Sequence, residues 1–298
     1  MNRKFAVFFT AVSLTAVLAA CGSEPAATVP AVSAPAQTEQ TQPSTTAPAA
    51  FEEIILREDE NCTVKITAIE EDGLWGYTLK TYLENKTEKE LMFSVSNASV
   101  NGFMCDPFWA VTVSAGMKAN EEIRFMEEDL KRSGIESVTE IEFTLRVYDS
   151  NNWDAEDLVN ESIRICPLGE DAIQPFTRQS AEGEIVLFDD DYCTMIVTGF
   201  DPENIWGYTM NVYLENKTDK NLMFSIGDAA VNGFMCDPYW AETVAPGKRS
   251  VTTVSWMSQD FEENGITEVE TLTLPIRVYN ADNWNDNDLI DTTFTVNP

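Results

Sequence analysis

Residues 53–165 return as residues 184–296, displaced by 131 positions with no insertion or deletion between the two copies. Glu53-Ile54-Ile55-Leu56 is answered by Glu184-Ile185-Val186-Leu187, and Trp75-Gly76-Tyr77-Thr78 by Trp206-Gly207-Tyr208-Thr209. Val100-Asn101-Gly102-Phe103-Met104-Cys105-Asp106-Pro107 recurs unchanged as Val231 to Pro238. Roughly two positions in five are identical, so the chain must fold as two like modules. Each copy has the length of a domain with its own core.

Within a copy the apolar residues alternate with period two, the signature of strands with one buried and one wet face. Trp75, Tyr77, Leu79 and Leu83 share one face; Ile141, Phe143, Leu145 and Val147 do the same further on. Turn signals separate the runs, among them Glu84-Asn85-Lys86-Thr87 and the hairpin dipeptide Asn101-Gly102. Seven strands per copy are predicted, near 53–57, 62–69, 75–84, 91–99, 119–126, 138–148 and 159–165, with a helical turn at 127–133. Long helical crossovers are missing. The fold class expected is all-β: two tandem immunoglobulin-like antiparallel β-sandwiches, at 53–165 and 184–298, joined by a linker at 166–183. Pro275 falls inside the second copy's Leu272–Tyr279 strand where the first has Thr144. Proline cannot donate to a ladder, so an edge or a bulge is expected there.

The Trp-Gly-Tyr strand, the Glu-Asn-Lys-Thr turn, Gly116 ahead of the fifth strand and the Arg146-Val147-Tyr148 strand end resemble a known group. The chain is similar to the telokin-like, immunoglobulin-like domains of unknown function carried by Gram-positive surface lipoproteins. That resemblance implies a sandwich fold and an extracytoplasmic setting, and it carries no catalytic residue. The chain departs from antibody-type domains, because no cysteine lies in the 138–148 strand.

The N-terminus fits the same setting. Arg3 and Lys4, the apolar run Phe5 to Val17 and Leu18-Ala19-Ala20-Cys21 form a signal segment at 1–20 whose end resembles a bacterial lipobox. Cys21 would then be acylated and hold the protein to the membrane. An ordinary signal peptide containing a cysteine is the alternative. Residues 21–52 are mostly Ala, Pro, Thr, Ser and Gln, too polar to bury a core, and read as a disordered tether. At about 3.1 Å per residue it reaches at most roughly 90 Å.

The formal charge is −31. Nucleic acid needs a basic footprint and is excluded as a partner. Histidine is absent, which removes a Ser-His-Asp triad, a Cys-His dyad and every His-ligated zinc site. Paired carboxylates could still hydrolyse glycosides. Cys62 and Cys105 are matched by Cys193 and Cys236, while Cys166 has no counterpart. In an exported chain, duplicated pairs point to one bridge per module, Cys62–Cys105 and Cys193–Cys236; reduced, buried thiols are the alternative.

Three recurring segments are candidate sites. Asp106-Pro107-Phe108-Trp109 and Asp237-Pro238-Tyr239-Trp240 each place two aromatics side by side. Neighbours on a strand point to opposite faces, so one of the two would be exposed for ligand contact unless both cap the core. The acidic loops 149–157 and 280–288, with Asp149, Asp157, Asp282 and Asp288, offer oxygen ligands for calcium or are simple solvated turns. Glu70-Glu71-Asp72 and Asp201-Pro202-Glu203 precede the Trp75 and Trp206 strands, at the sandwich end expected to carry those loops. Asn85-Lys86-Thr87 and Asn216-Lys217-Thr218 match a glycosylation sequon but read as turns. The leading expectation is a lipid-anchored surface protein that binds or scaffolds without catalysis or cofactor, its partner a surface protein or a glycan. A calcium-dependent or carbohydrate-binding module pair comes second, and a carboxylate-based extracytoplasmic hydrolase third.

Overall fold

The computed structural model describes residues 51–298 apart from Trp153, Trp206 and Trp284. The signal segment, Cys21 and the tether to residue 50 lie outside the described residues. No helix among the described residues is long and apolar enough to cross a membrane.

The first copy contains β1 (Ile54–Glu58), β2 (Cys62–Gly73), β3 (Gly76–Asn85), β4 (Leu91–Val100), β5 (Phe103–Met104), β6 (Ala110–Val113), β7 (Lys118–Met126), α1 (Glu127–Arg132), β8 (Ile141–Asp149) and β9 (Val159–Ile165). One layer runs β1-β2-β3-β7; the other runs β6-β4-β8-β9, with β5 also on β4. Strands β2, β3 and β7 facing β6, β4, β8 and β9 make the immunoglobulin-like A-B-E against C′-C-F-G arrangement, with β1 added outside. The core between the layers is filled by the inward side chains that alternation marked, such as Leu79, Leu83, Phe93, Phe125, Phe143 and Leu145.

The second copy contains β10 (Ile185–Asp189), β11 (Cys193–Asp201), β12 (Tyr208–Asn216), β13 (Leu222–Ile226), β14 (Ala230–Val231), β15 (Phe234–Met235), β16 (Trp240–Val244), β17 (Arg249–Trp256), α2 (Ser258–Asn264), β18 (Leu272–Asn280) and β19 (Ile290–Val296). It repeats the arrangement around a separate core of residues such as Met210, Leu214, Phe224, Trp256 and Leu274. Pro275 leaves a visible mark. Where β4 is continuous with a bulge between Ser96 and Ser99, the second copy breaks into β13 and β14. Gly227 N–H donates to the Pro275 carbonyl at 3.3 Å, so the N–H that proline lacks belongs on that same broken side.

Asn101 and Gly102, at φ 50° and 80°, form the two-residue turn between β4 and β5 that the dipeptide announced. Trp75, by contrast, is 57 % exposed and not a core residue. The demanding position is its neighbour. A Cβ on Gly76 would sit 2.2 Å from the Phe125 carbonyl oxygen, and one on Gly207 2.0 Å from that of Trp256. Only glycine lets β7 and β17 approach this closely.

The expected bridges do not form: Cys62, Cys105, Cys193 and Cys236 are free, buried thiols. Cys62 pairs with Asn85 at the last residue of β3. Cys105 lies beside Asp129 of α1, which follows Met126, the partner of Gly76 at the first residue of β3. At ~3.3 Å per residue those two ends are roughly 30 Å apart, and a disulfide needs its Cα atoms within about 7 Å. The second copy repeats the separation: Cys193 pairs with Asn216, and the Cys236 carbonyl accepts from Trp256 Nε1 at 2.9 Å at the other end of β12. Burial pushes the thiols up, Cys62 to about 11 and Cys105 and Cys193 to about 12. Such thiols are poor nucleophiles.

The described residues fall within one compact unit, and the two sandwiches share a joint. Strand β17 pairs in parallel with β5, Arg249 opposite Phe103, and Arg249 N–H donates to the Gly102 carbonyl at 3.0 Å. One layer of each copy thus joins into a nine-stranded sheet. Phe103 packs on Ile196, Tyr213 and Val251, and Phe176 of the linker meets it edge-on at 4.9 Å. Lys248 pairs with Glu142 across the joint. Beside it, a groove of about 410 Å³ holds Asp106, Asp129 and Arg132 of the first copy against Glu242 and Ser250 of the second.

Two measurements check these points. Under denaturing conditions a chain beginning after Cys21 titrates five thiols, while in the native state Cys62, Cys105, Cys193 and Cys236 react slowly; a count of one would restore the bridges. The second concerns Glu242, whose carboxyl is pushed up by burial and by Asp106 and Asp129, against the Ser250 hydrogen bond and Arg132. A carboxyl with a raised folded pKa holds its proton more tightly in the folded joint than in the unfolded chain. Its contribution is therefore complete below the unfolded carboxylate pKa of about 4.3 and is lost as pH rises through the folded value. Glu242→Gln is expected to melt higher than the parent at pH 7, with the difference vanishing toward pH 3.5.

Candidate functional site: a presented aromatic in each module

Between β5 and β6 the chain must leave one strand and begin the next within five residues, and Asp-Pro-aromatic-Trp determines how. The Asp106 carboxylate accepts the Phe108 N–H at 2.7 Å, closing a turn across Pro107. Phe108 takes φ 47° and stands 90 % exposed. Trp109 then turns back into the core, and its carbonyl accepts from Val95 N–H at 3.1 Å. The second copy does the same. Asp237 accepts Tyr239 N–H at 2.8 Å and Asp228 N–H at 3.0 Å, Tyr239 has φ 49° and is 91 % exposed, and Trp240 packs against the core. One aromatic in and one out is the resolution of the pair, and the outward one is Phe108 or Tyr239.

A bulky residue in the left-handed region costs about 1–2 kcal/mol. Among the described residues, the other non-glycine residues found there are Asn97, Asn101, Asp228 and Asn232, types that tolerate it. Phe108 and Tyr239 do not, and they bury almost nothing in return. Both copies thus keep a strained backbone that holds an aromatic ring in solvent.

The acidic segments are occupied differently. Asp157 receives a two-point ion pair from Arg146 at 2.9 and 3.1 Å, and Asp288 the same from Arg277 at 2.9 and 3.2 Å. Asp149 pairs with Lys89 at 3.0 Å, whose hydrogen bond lowers its pKa. Asp282 accepts from Asn221 at 2.9 Å. Among the described residues no three acidic or thiol groups gather as a metal would require. The acidic turns ahead of β3 and β12 are not at the same end as these loops. The 149–157 loop starts at Asp149, opposite Leu91 at the start of β4, whereas Glu70–Asp72 lie at the Gly76 end of β3. The reason is strand order: β2 and β3 are a hairpin within one layer, so the turn between them belongs to the far end. The carboxylate pair considered for hydrolysis does not assemble there. Asn85 and Asn216 are fully buried, as turn residues and not as sugar acceptors.

No family model matches the sequence, and no curated protein does. Among solved structures, the Salmonella enterica SafA pilin in complex with the SafB chaperone aligns at 12 % identity, covering 81 % of this chain and 98 % of that one. Its TM-score is 0.23, too low to argue function; the immunoglobulin-like reading rests on the strand order above.

The aromatic pair separates by mutation. Trp109→Ala is expected to destabilise by about 3–5 kcal/mol. Phe108→Gly, which removes an exposed ring and relieves φ, is expected to stabilise by about 0.5–1 kcal/mol. Urea denaturation measures both, and a clear loss of stability in Phe108→Gly would show that the ring serves the fold.

Proposed function

We propose that this chain is a lipid-anchored, extracytoplasmic protein whose two immunoglobulin-like modules bind or scaffold a surface partner without catalysis. The observation that carries the binding role is the pair Phe108 and Tyr239, each held in a strained backbone and almost wholly exposed on a rigid sandwich. Rigid aromatics lose little conformational entropy on binding and give large contact areas, which is why they anchor interfaces. The acidic surface disfavours anionic lipid and nucleic acid and keeps such a protein dispersed. Anchoring rests on the lipobox at Leu18-Ala19-Ala20-Cys21, followed by the polar tether. A carbohydrate ligand is the second reading, favoured by the same two rings, since exposed aromatics stack on sugar faces.

Fluorescently labelled chain lacking residues 1–21 should bind host cells from which the gene has been deleted. In the Phe108→Ala, Tyr239→Ala double variant that binding should fall at least tenfold with an unchanged melting temperature. Loss of binding after protease treatment of the cells supports a protein partner, survival supports a glycan, and equal binding by the double variant refutes the site. Incorporation of an alkyne-bearing palmitate that disappears in Cys21→Ala checks the anchor.

A further inference from the structure

The internal repeat supplies its own control for what the modules do to each other. In the first copy the β5 segment is a docking surface: Phe103 is 5 % exposed against the second copy, and the Met104 sulfur accepts Ala245 N–H at 3.5 Å. The second copy carries the identical residues at the equivalent positions, Gly233-Phe234-Met235. There Phe234 is 46 % and Met235 66 % exposed. A Cβ on Gly102 would meet the Arg249 guanidinium at 3.4 Å, while one on Gly233 meets nothing within 4 Å. Strand β15 ends its sheet and pairs on one side only. The same surface is thus covered in one module and open in the other.

The receiving surface explains why a second copy of this chain is a poor occupant. It consists of Ile196, Tyr213 and Val251, with Arg249 over the Phe176 ring at 4.8 Å. The first module has Tyr82 and Lys118 where the second has Tyr213 and Arg249, but Lys65 in place of Ile196 and Asn120 in place of Val251. Lys65 is paired with Glu53 at 3.7 Å and Lys118 with Glu84 at 3.3 Å, so this face is a solvated, charge-laced one. Two chains of charge −31 also repel. A polar face of this kind disfavours head-to-tail growth, as polar terminal faces do in repeat arrays.

We propose that β15, through Phe234 and Met235, docks a β-sandwich of another protein, whose edge presents aliphatic side chains and an arginine as the second module presents them to Phe103. The contact has the parallel strand-edge form of β5 on β17, a type of β-strand addition. This goes beyond the binding role of Phe108 and Tyr239: Phe108 lines the groove beside the joint with Val251, yet it stays exposed while Phe103 is buried.

The test is photo-crosslinking on intact cells with p-benzoylphenylalanine replacing Met235 in the full chain, and Glu263 of α2 as an exposed control position. A discrete adduct at 235 is expected, at least tenfold above the control, with the crosslinked peptide mapping to a strand of another protein that carries Ile or Val beside Arg. Adding Phe234→Asp should abolish it, with an unchanged melting curve showing that the module stays folded. Adding Phe108→Ala and Tyr239→Ala should leave it, which separates this surface from the one above. An adduct to a second copy of the chain, an adduct to a peptide without that pattern, or a yield no greater than at 263 overturns the proposal.

Discussion

Each sandwich is tied together by one buried carboxamide. Asn85, at the end of β3, donates to the carbonyls of Lys89 and Val113 at 2.7 and 2.8 Å and accepts from the Thr87 N–H and hydroxyl at 3.0 and 2.8 Å. Its strand belongs to one layer; the carbonyls it holds lie in the turn leading into β4 and at the end of β6, in the other layer. Asn216 makes the same four bonds to Lys220, Val244 and Thr218. A fully satisfied buried amide is worth little more than about 1 kcal/mol per bond, yet leaving its partners unpaired costs about 1–3 kcal/mol each. It therefore acts as a specification: the chain crosses between layers here and in one way. The strand order, and with it the placement of every loop, follows from that crossing.

Much of this was readable in the sequence. The seven longer strands were legible from apolar runs bounded by turn signals, and β8, with a buried side alternating along most of its length, from period-two alternation; β1 and β9 do not alternate strictly. Strands β5 and β6 were not legible, since two and four residues are too few to alternate. Pro275 correctly marked a broken ladder. The Trp75 strand was placed on the right face but with the wrong anchor: conservation between copies of Trp75-Gly76 reflects a glycine against a carbonyl. The acidic turns were put at the wrong end because a short hairpin and a layer crossing leave similar turn signatures. The cysteines misled for a related reason. Their equal spacing of 43 residues in both copies says that the fold repeats, not that two of them meet.

The candidate site was half legible. Adjacent aromatics required a compromise, but which ring goes inward depends on Asp106 and Pro107 setting a left-handed residue at Phe108, a backbone detail without a hydrophobic signature. The joint did leave a signal. Two positions that change from polar to apolar between the copies, Lys65 against Ile196 and Asn120 against Val251, mark a surface wet in one module and buried in the other. The signal lies in the divergence of the copies and not in their identity.

The parallel bridge between β5 and β17 also orders events in time. Synthesis runs from the N-terminus, so the first sandwich can complete its own core long before Arg249 and Val251 exist. Through that interval Phe103 and Met104 form a bare strand edge, the kind of transient apolar surface on which folding intermediates aggregate. The edge is only two residues long, and a short edge is a weak template for wrong pairing. Brevity there protects the nascent chain until its own second half arrives.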